Sequence, residues 1–445
     1  HLRFFFPLMI AAVVLPFTSN FINAGLARLP SPHIYISAYA VASSLMKLLL
    51  SPLFLVRPMV TSLANDMSSY SKVKLFVIKL MIGVVLLMMV ATISGLTRYI
   101  FSHFMGVQGE TLKAAITIFA VFNLYPIGLL LKDFCHAILL KFEKSFVIPF
   151  SSLLRILVVA IIVKNIDDLL FIPPAILAGL ILIFAVFIEG ILSLIATKAS
   201  IKSIPGAFGS RQADITEQQD IEKISSRYIF AFYSPLIITS FIGALRIPLV
   251  HATLARSISP EQAITSFSIA WGVCALFLTP LSMFKQVPLL YYNKNDEQSV
   301  KSTVATTLLL GTTLTGILFF ISMTPIGHYI LTDLIAIDKT IADATLRIIK
   351  AGAILPFIAT VRESFYGILM KEYKTRVMGS TKILNIAILT VAITFIILVE
   401  PKNTALSCMY AIVVSQFCEV ILIFGIFKNI CKPKKITKDK RGVRK

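Results

Sequence analysis

Eight charged residues fall deep inside long apolar stretches of this chain, and they come as two matching sets. Lys132, Asp133, Arg155 and Glu189 are answered later by Arg362, Glu363, Lys382 and Glu419. Each set holds two cations and two anions, the composition of a neutral network. A charge near the centre of a bilayer is costly unless it pairs inside protein or faces water. Two chemistries suit such sets: ion pairs that fix helix packing, or carboxylates that carry a coupling ion, proton or sodium. Lys132 lies nine residues before Lys141, which at helical rise places it ~13 Å from the helix end, near the mid-plane. Lys132 and Asp133 are sequence neighbours and point about 100° apart, so each calls for a partner on another helix.

A second group has no such balance. Lys47, Arg57, Arg246 and Lys285 lie in the stretches 34–62, 228–255 and 262–291, which contain no Asp or Glu; neither does 3–27. Uncompensated cations in a low-dielectric setting imply an aqueous cavity whose field favours anions. For Arg57 and Lys285, ~8–9 Å from a helix end, snorkelling of a long side chain to the interface is a second reading. His251 adds a group able to titrate near neutrality. Asn20 and Asn23 either line the same cavity or bond between helices. The candidate substrate-binding residues are therefore Lys47, Arg57, Arg246, Lys285, His251, Asn20 and Asn23. No nucleotide loop, HExxH or GxSxG motif occurs, and the six histidines have no ligand spacing. The five cysteines form no CxxC pair and read as small buried hydrophobes. No enzyme activity, metal or cofactor is expected, and no stretch is long enough for an ATP-driving domain.

The elements that must position these residues are membrane helices. The 445-residue chain is 57% hydrophobic and 14% charged, with mean hydropathy +0.86, far from the balance of a soluble domain. About twelve apolar runs of spanning length are legible: 3–27, 34–62, 74–97, 113–140, 146–163, 170–197, 228–255, 262–291, 302–325, 341–370, 377–399 and 404–428. They are too long for barrel strands, and lipid offers the backbone no partner, so the expected fold is all-α. The first run has no small-x-small cleavage site and matches an internal helix, so it reads as a span, not a signal peptide.

Residues 1–198 are repeated by 228–428. Pro7, Leu26-Ala27-Arg28, Pro32, Pro52 and Arg57 return, at a constant numbering offset of 228, as Pro235, Leu254-Ala255-Arg256, Pro260, Pro280 and Lys285. Pro126, Lys132-Asp133, Lys141 and Glu189 return, at an offset of 230, as Pro356, Arg362-Glu363, Lys371 and Glu419. An even number of helices per half makes the repeat parallel, giving two six-helix bundles. The expected organisation is an N-terminal bundle over 1–198, a linker over 199–227, a C-terminal bundle over 228–428 and a basic tail over 429–445. The net charge of +20 concentrates in alternate loops, including Lys72, Lys74, Lys141, Lys144, Lys371 and Lys374, which places both termini in the cytoplasm. The tail reads as a contact to anionic headgroups, not to nucleic acid. Repeated prolines predict bends that recur in both halves.

Two parallel six-helix bundles with a cytoplasmic linker resemble the MOP (multidrug, oligosaccharidyl-lipid, polysaccharide) flippase superfamily, which includes the MATE exporters. Within it, several segments resemble the progressive ankylosis protein branch. They are Ile354-Leu355-Pro356 with Thr360-Val361-Arg362 and Leu369-Met370, and Ala137-Ile138-Leu139-Leu140-Lys141 with Ser145-Phe146. Arg246 with Pro248-Leu249-Val250 and Arg256, and Ile330-Leu331 with Asp333-Leu334-Ile335 and Asp338, add to them. The resemblance implies export of small polyanions such as pyrophosphate, ATP or citrate, through a cleft lined by helices 1, 2, 7 and 8. Unlike MATE exporters of cationic drugs, this chain sets a cation within reach of each embedded carboxylate. The short basic tail, in place of the long acidic one of animal relatives, and the compact loops point to a bacterial inner-membrane protein; a monomer is expected. The expected function is alternating-access export of a small organic polyanion; a multidrug exporter and a flippase of an anionic lipid-linked precursor are the alternatives.

Overall fold

The computed structural model describes residues 16–64, 67–141, 147–169, 171–202, 226–285, 287–288, 292–293, 296–371, 375–399 and 404–430. Pro7, most of the first expected span, the body of the linker, Lys144, Lys374 and nearly all of the basic tail lie outside the described residues. The first half holds α1 (residues 16–26), α2 (Pro32–Leu49), α3 (Val56–Leu63), α4 (Met67–Ile93), α5 (Gly109–Val121), α6 (Tyr125–Lys141), α7 (Val147–Lys164) and α8 (Pro174–Lys202). The second holds α9 (Ser226–Ala244), α10 (Arg246–Leu254), α11 (Pro260–Leu281), α12 (Glu297–Met323), α13 (Lys339–Gly352), α14 (Leu355–Lys371), α15 (Thr375–Val399) and α16 (Thr404–Ile430). No strand occurs among the described residues.

Among the described residues ten helical stretches are long and apolar enough to cross a membrane, and α2 with α3 makes an eleventh span, bent by 58°. With α1 as the described part of the first run, these match the twelve runs of the sequence. The protein is an integral membrane protein, because helices this apolar keep their backbone groups bonded only within themselves. Local signals set the helix starts. Pro32 and Pro260 open α2 and α11, where a missing N–H costs nothing. The Asp296 carboxylate caps α12 by accepting from the Gln298 N–H at 3.1 Å.

The repeat holds at the level of helix boundaries. Pro32 and Pro260 are 228 apart, whereas α4 and α12, α6 and α14, and α8 and α16 begin 230 apart. Spans four and ten both break just before Tyr125-Pro126 and Leu355-Pro356, since a proline cannot donate to the preceding turn. Within the first half α6 and α7 pack on α8, α2 on α5, and α3 on α6; within the second α15 and α14 pack on α16, α11 on α13, and α12 on α14. The two halves meet chiefly where α2 lies against α11, with α10 and α9 also touching α2. On α14, a Cβ at Gly367 would collide with the Lys285 carbonyl oxygen, so only glycine lets that segment lie against the helix.

Two π turns, Ile100–Phe104 and Ile330–Leu334, repeat down to their hydrogen bonds. Val107 N–H bonds the Phe101 carbonyl at 2.8 Å, and Ile337 N–H bonds that of Leu331 at 3.1 Å. Between donor and acceptor each chain passes through a left-handed residue, Gly106 (φ +74) in one half and Ala336 (φ +63) in the other, as in a Schellman stop. An L-residue there costs about 1–2 kcal/mol, partly offset by glycine's greater freedom when unfolded. Ala336→Gly is therefore expected to stabilise the protein by roughly 0.5–1 kcal/mol, read as a higher melting temperature in detergent.

At the face opposite the linker the two halves are bridged. The Arg256 guanidinium donates through Nη2 to the carbonyls of His103 (3.1 Å) and Phe104 (2.7 Å), at the end of the first π turn. A cation suits that place, because helix-end carbonyls carry partial negative charge. Beside it, the Thr111 hydroxyl donates to Glu261 (2.5 Å), His33 stands 3.6 Å from the same carboxylate, and Thr265 donates to the His33 carbonyl (3.1 Å). Arg28, the repeat counterpart of Arg256, is exposed and has no such bond among the described residues. Arg256→Ala is expected to raise several-fold the rate at which an impermeant maleimide reaches a cysteine at buried Ser37, over the background of native thiols. Arg28→Ala leaves that rate unchanged.

Candidate functional site

The first charged set closes into a network, with one member the sequence did not place there. The bend of span two after Pro52 lays α3 along α6, and Arg57 Nη2 meets Asp133 Oδ1 at 2.6 Å. Arg57 was expected to lack an internal partner; the bend gives it one. Lys132 Nζ lies 3.5 Å from the same oxygen, its long side chain folding back across the angle between neighbouring residues. Asp133 finds its partner on another helix, and Lys132, besides Asp133, lies within electrostatic reach of Glu189 on α8. Arg155 Nη1 and the Ser152 hydroxyl both donate to Glu189 at 2.5 Å. All four of Lys132, Asp133, Arg155 and Glu189 are buried.

His136 joins the two ion pairs. Its Nδ1 lies 3.2 Å from Arg57 Nη2, and its Nε2 lies 3.0 Å from the Ser193 hydroxyl and 3.9 Å from Glu189. Arginine can only donate, so Nδ1 must accept and Nε2 carries the proton. A polar chain thus runs from Arg57 through a neutral imidazole toward Glu189.

The second set follows the same plan with different chemistry. Arg362 holds Glu363 (Nη2–Oε1 3.0 Å), donates to Gln416 (2.9 Å) and approaches Glu419 (3.8 Å). Tyr366, at the repeat position of His136, donates its hydroxyl to Glu419. Lys382 Nζ sits 5.9 Å from the centroid of the Tyr366 ring, in cation–π contact. A phenol here replaces the imidazole of the first half, so the two networks differ in the group that bridges them.

The remaining cations do not find carboxylates. Lys47 is exposed on a helix whose neighbouring residues Met46 and Leu48 are buried, and it makes no hydrogen bond or ion pair among the described residues. His251 lies buried within its electrostatic reach, and Nδ1 of that ring has no partner among the described residues. Arg246 Nη2 donates to the Asn385 side-chain oxygen Oδ1 at 3.3 Å, and its charged neighbours are Arg362 and Glu419. Arg246 Nε and Asn385 Nδ2 are both buried and both unbonded among the described residues. Lys285 is half-buried with no ion pair among the described residues, and it faces Lys382. Asn20 spends its amide on the Gly272 carbonyl (3.1 Å), joining α1 to α11, while Asn23 is buried in α1.

Asn385 and His136 escaped the sequence reading, although the repeat contained the signal. At the offset of 230, Asn385 is the counterpart of Arg155, and Tyr366 is the counterpart of His136. No cluster of metal-ligating side chains occurs among the described residues.

Solved structures share this fold. An inward-facing multidrug resistance MATE family transporter of the MOP superfamily matches with TM-score 0.64 at 12% identity, covering 94% of each chain. The lipid II flippase MurJ, in an inward closed conformation, matches with TM-score 0.62 at 15% identity, over 96% of this chain and 87% of that one. A MOP superfamily transporter from Pyrococcus furiosus, described by the reverse polarity of its binding pocket, matches with TM-score 0.55 at 12% identity, over 96% and 94%. These likenesses show that the fold is shared. The model of the progressive ankylosis protein family matches residues 219–442, half of the chain and the whole stretch 228–428. By that match the chain belongs to the progressive ankylosis protein (ANKH) family.

Proposed function

We propose that this protein is a secondary transporter that exports a small organic polyanion, a citrate-like polycarboxylate, pyrophosphate or a nucleotide, by alternating access. One observation carries the reading: cations on α2 and α10 without carboxylate partners, beside buried donors with no acceptor. Arg246 Nε and Asn385 Nδ2 can only donate, so the group that satisfies them is an acceptor. A carboxylate or phosphate oxygen supplies both the acceptor and the missing negative charge. Lys47 and His251 extend the same site along α2 and α10, and Arg57 and Lys285 continue it toward the linker face. Asn20 and Asn23 shape its wall.

The four embedded carboxylates fit coupling or bracing better than recognition of a cationic drug. Asp133, Glu189 and Glu363 each touch a cation at 3.5 Å or closer, and Glu419 holds the Tyr366 hydroxyl. The loop charges put the linker in the cytoplasm, which makes the bridged face the outer one and supports a state closed to the outside. We place the protein in a bacterial inner membrane, as a monomer that takes its energy from an ion or substrate gradient.

The test is uptake of radiolabelled citrate, pyrophosphate and ATP into inverted vesicles. Uptake that disappears in Lys47→Ala plus Arg246→Ala supports the reading. Resistance of expressing cells to ethidium-like dyes, lost in Asp133→Asn, with no anion uptake, replaces it by a cation exporter. Translocation of an anionic lipid-linked precursor in proteoliposomes, again without anion uptake, replaces it by a flippase.

A further inference from the structure

We infer that Asn385 determines the specificity of this anion site by holding Arg246 in place without neutralising it. The inference rests on the anion reading above. It starts from a broken position in the repeat. Ser151-Ser152-Leu153-Leu154-Arg155 on α7 corresponds, at the offset of 230, to Thr381-Lys382-Ile383-Leu384-Asn385 on α15. In the first half the last of these residues is a guanidinium spent on Glu189 at 2.5 Å. In the second half it is an amide, and Glu419 is served instead by Tyr366 and, at 3.8 Å, by Arg362.

The guanidinium has moved to another helix. Arg246 stands on α10, and its repeat counterpart in the first half, at the offset of 228, is Thr18. It reaches back to position 385 and donates Nη2 to the amide oxygen at 3.3 Å. An amide oxygen orients a guanidinium but leaves its charge uncancelled, which a carboxylate at that position would not. The amide's other end and the guanidinium's Nε are both buried donors without acceptors, linked through that one bond. Two such donors on adjoining groups, one of them charged, are built for an oxyanion. The residue at 385 therefore sets the sign of the site. Aspartate would occupy Arg246 permanently, and arginine would repel it.

The variants are read by KM and maximal rate of citrate and pyrophosphate transport in proteoliposomes of the full chain. Asn385→Asp is nearly isosteric, so its folding is expected to match the wild type by melting temperature. It is expected to raise KM about tenfold or more with little change in maximal rate, the factor of about one lost charge-assisted hydrogen bond. Asn385→Arg is expected to act likewise, and the exchange Asn385→Arg plus Arg246→Asn to recover much of the affinity, because it restores one guanidinium and one amide. An unchanged KM in a folded Asn385→Asp protein, with the wild type active, overturns the role of Asn385 and leaves the anion site standing. Failure of the exchange to improve on either single variant also overturns it. A wild type that carries neither anion overturns the anion reading and this inference together.

Discussion

Arg155→Leu is expected to destabilise the protein by about 3–5 kcal/mol, as much as any single substitution in the two charged networks. Glu189 is 2% exposed, and once the guanidinium is gone its carboxylate keeps the Ser152 hydroxyl, a distant imidazole and the longer-range field of Lys132, but no hydrogen-bonded counter-charge. A buried charge without a counter-charge is far worse than no charge at all. Arg155→Leu plus Glu189→Leu is accordingly expected to regain most of the loss, since two apolar side chains of similar volume replace a pair that had to be desolvated. Thermal unfolding in detergent measures both. A single variant as stable as the wild type contradicts the buried pair as drawn. The double variant also separates bracing from coupling: a stable protein that still transports marks the pair as scaffold, and a stable protein that does not marks it as part of ion coupling.

Loss of polyanion transport in Lys47→Ala plus Arg246→Ala is the second large effect, about a hundredfold or more in kcat/KM. Each charge-assisted hydrogen bond to an anionic ligand contributes about 1.5–3 kcal/mol, so two of them span at least two decades. Neither cation has a carboxylate partner in the structure, so removing them leaves no buried anion behind and folding is expected to survive. That separates this pair from Arg57, whose loss would strand Asp133 and confuse binding with stability. Transport that persists in a folded double variant removes Lys47 and Arg246 from the site.

Much of the architecture was legible because charge is so rarely tolerated in lipid. Lys132-Asp133 and Arg362-Glu363 stand out from apolar surroundings, and their constant spacing reveals the repeat where leucines and isoleucines cannot. The repeated prolines predict the paired kinks before Pro126 and Pro356, while the helices that begin at Met67 and Glu297 start earlier than the runs 74–97 and 302–325 indicate. What escaped was pairing across the fold. Arg57 meets Asp133 only because α3 turns away from α2, and a bend angle is not written in a hydropathy pattern. Asn385 escaped for another reason: an uncharged residue draws no attention in a scan for charge. Its meaning lies in the Arg155 it replaces, and in an Arg246 that arrives from a different helix.

The change of offset from 228 to 230 falls between Arg57 and Met67 in one half, hence between Lys285 and Glu297 in the other. The second half spends two more residues than the first on joining its second span to its third. Fully extended, two residues add up to about 7 Å of reach. The first half clamps that corner with Arg57 on Asp133, while the second has a longer tether and no ion pair at Lys285 among the described residues. The duplicated halves are therefore fastened differently at the linker face: an ion pair from Arg57 to Asp133 holds one corner, and close backbone packing of the Lys285 carbonyl against Gly367 holds the other.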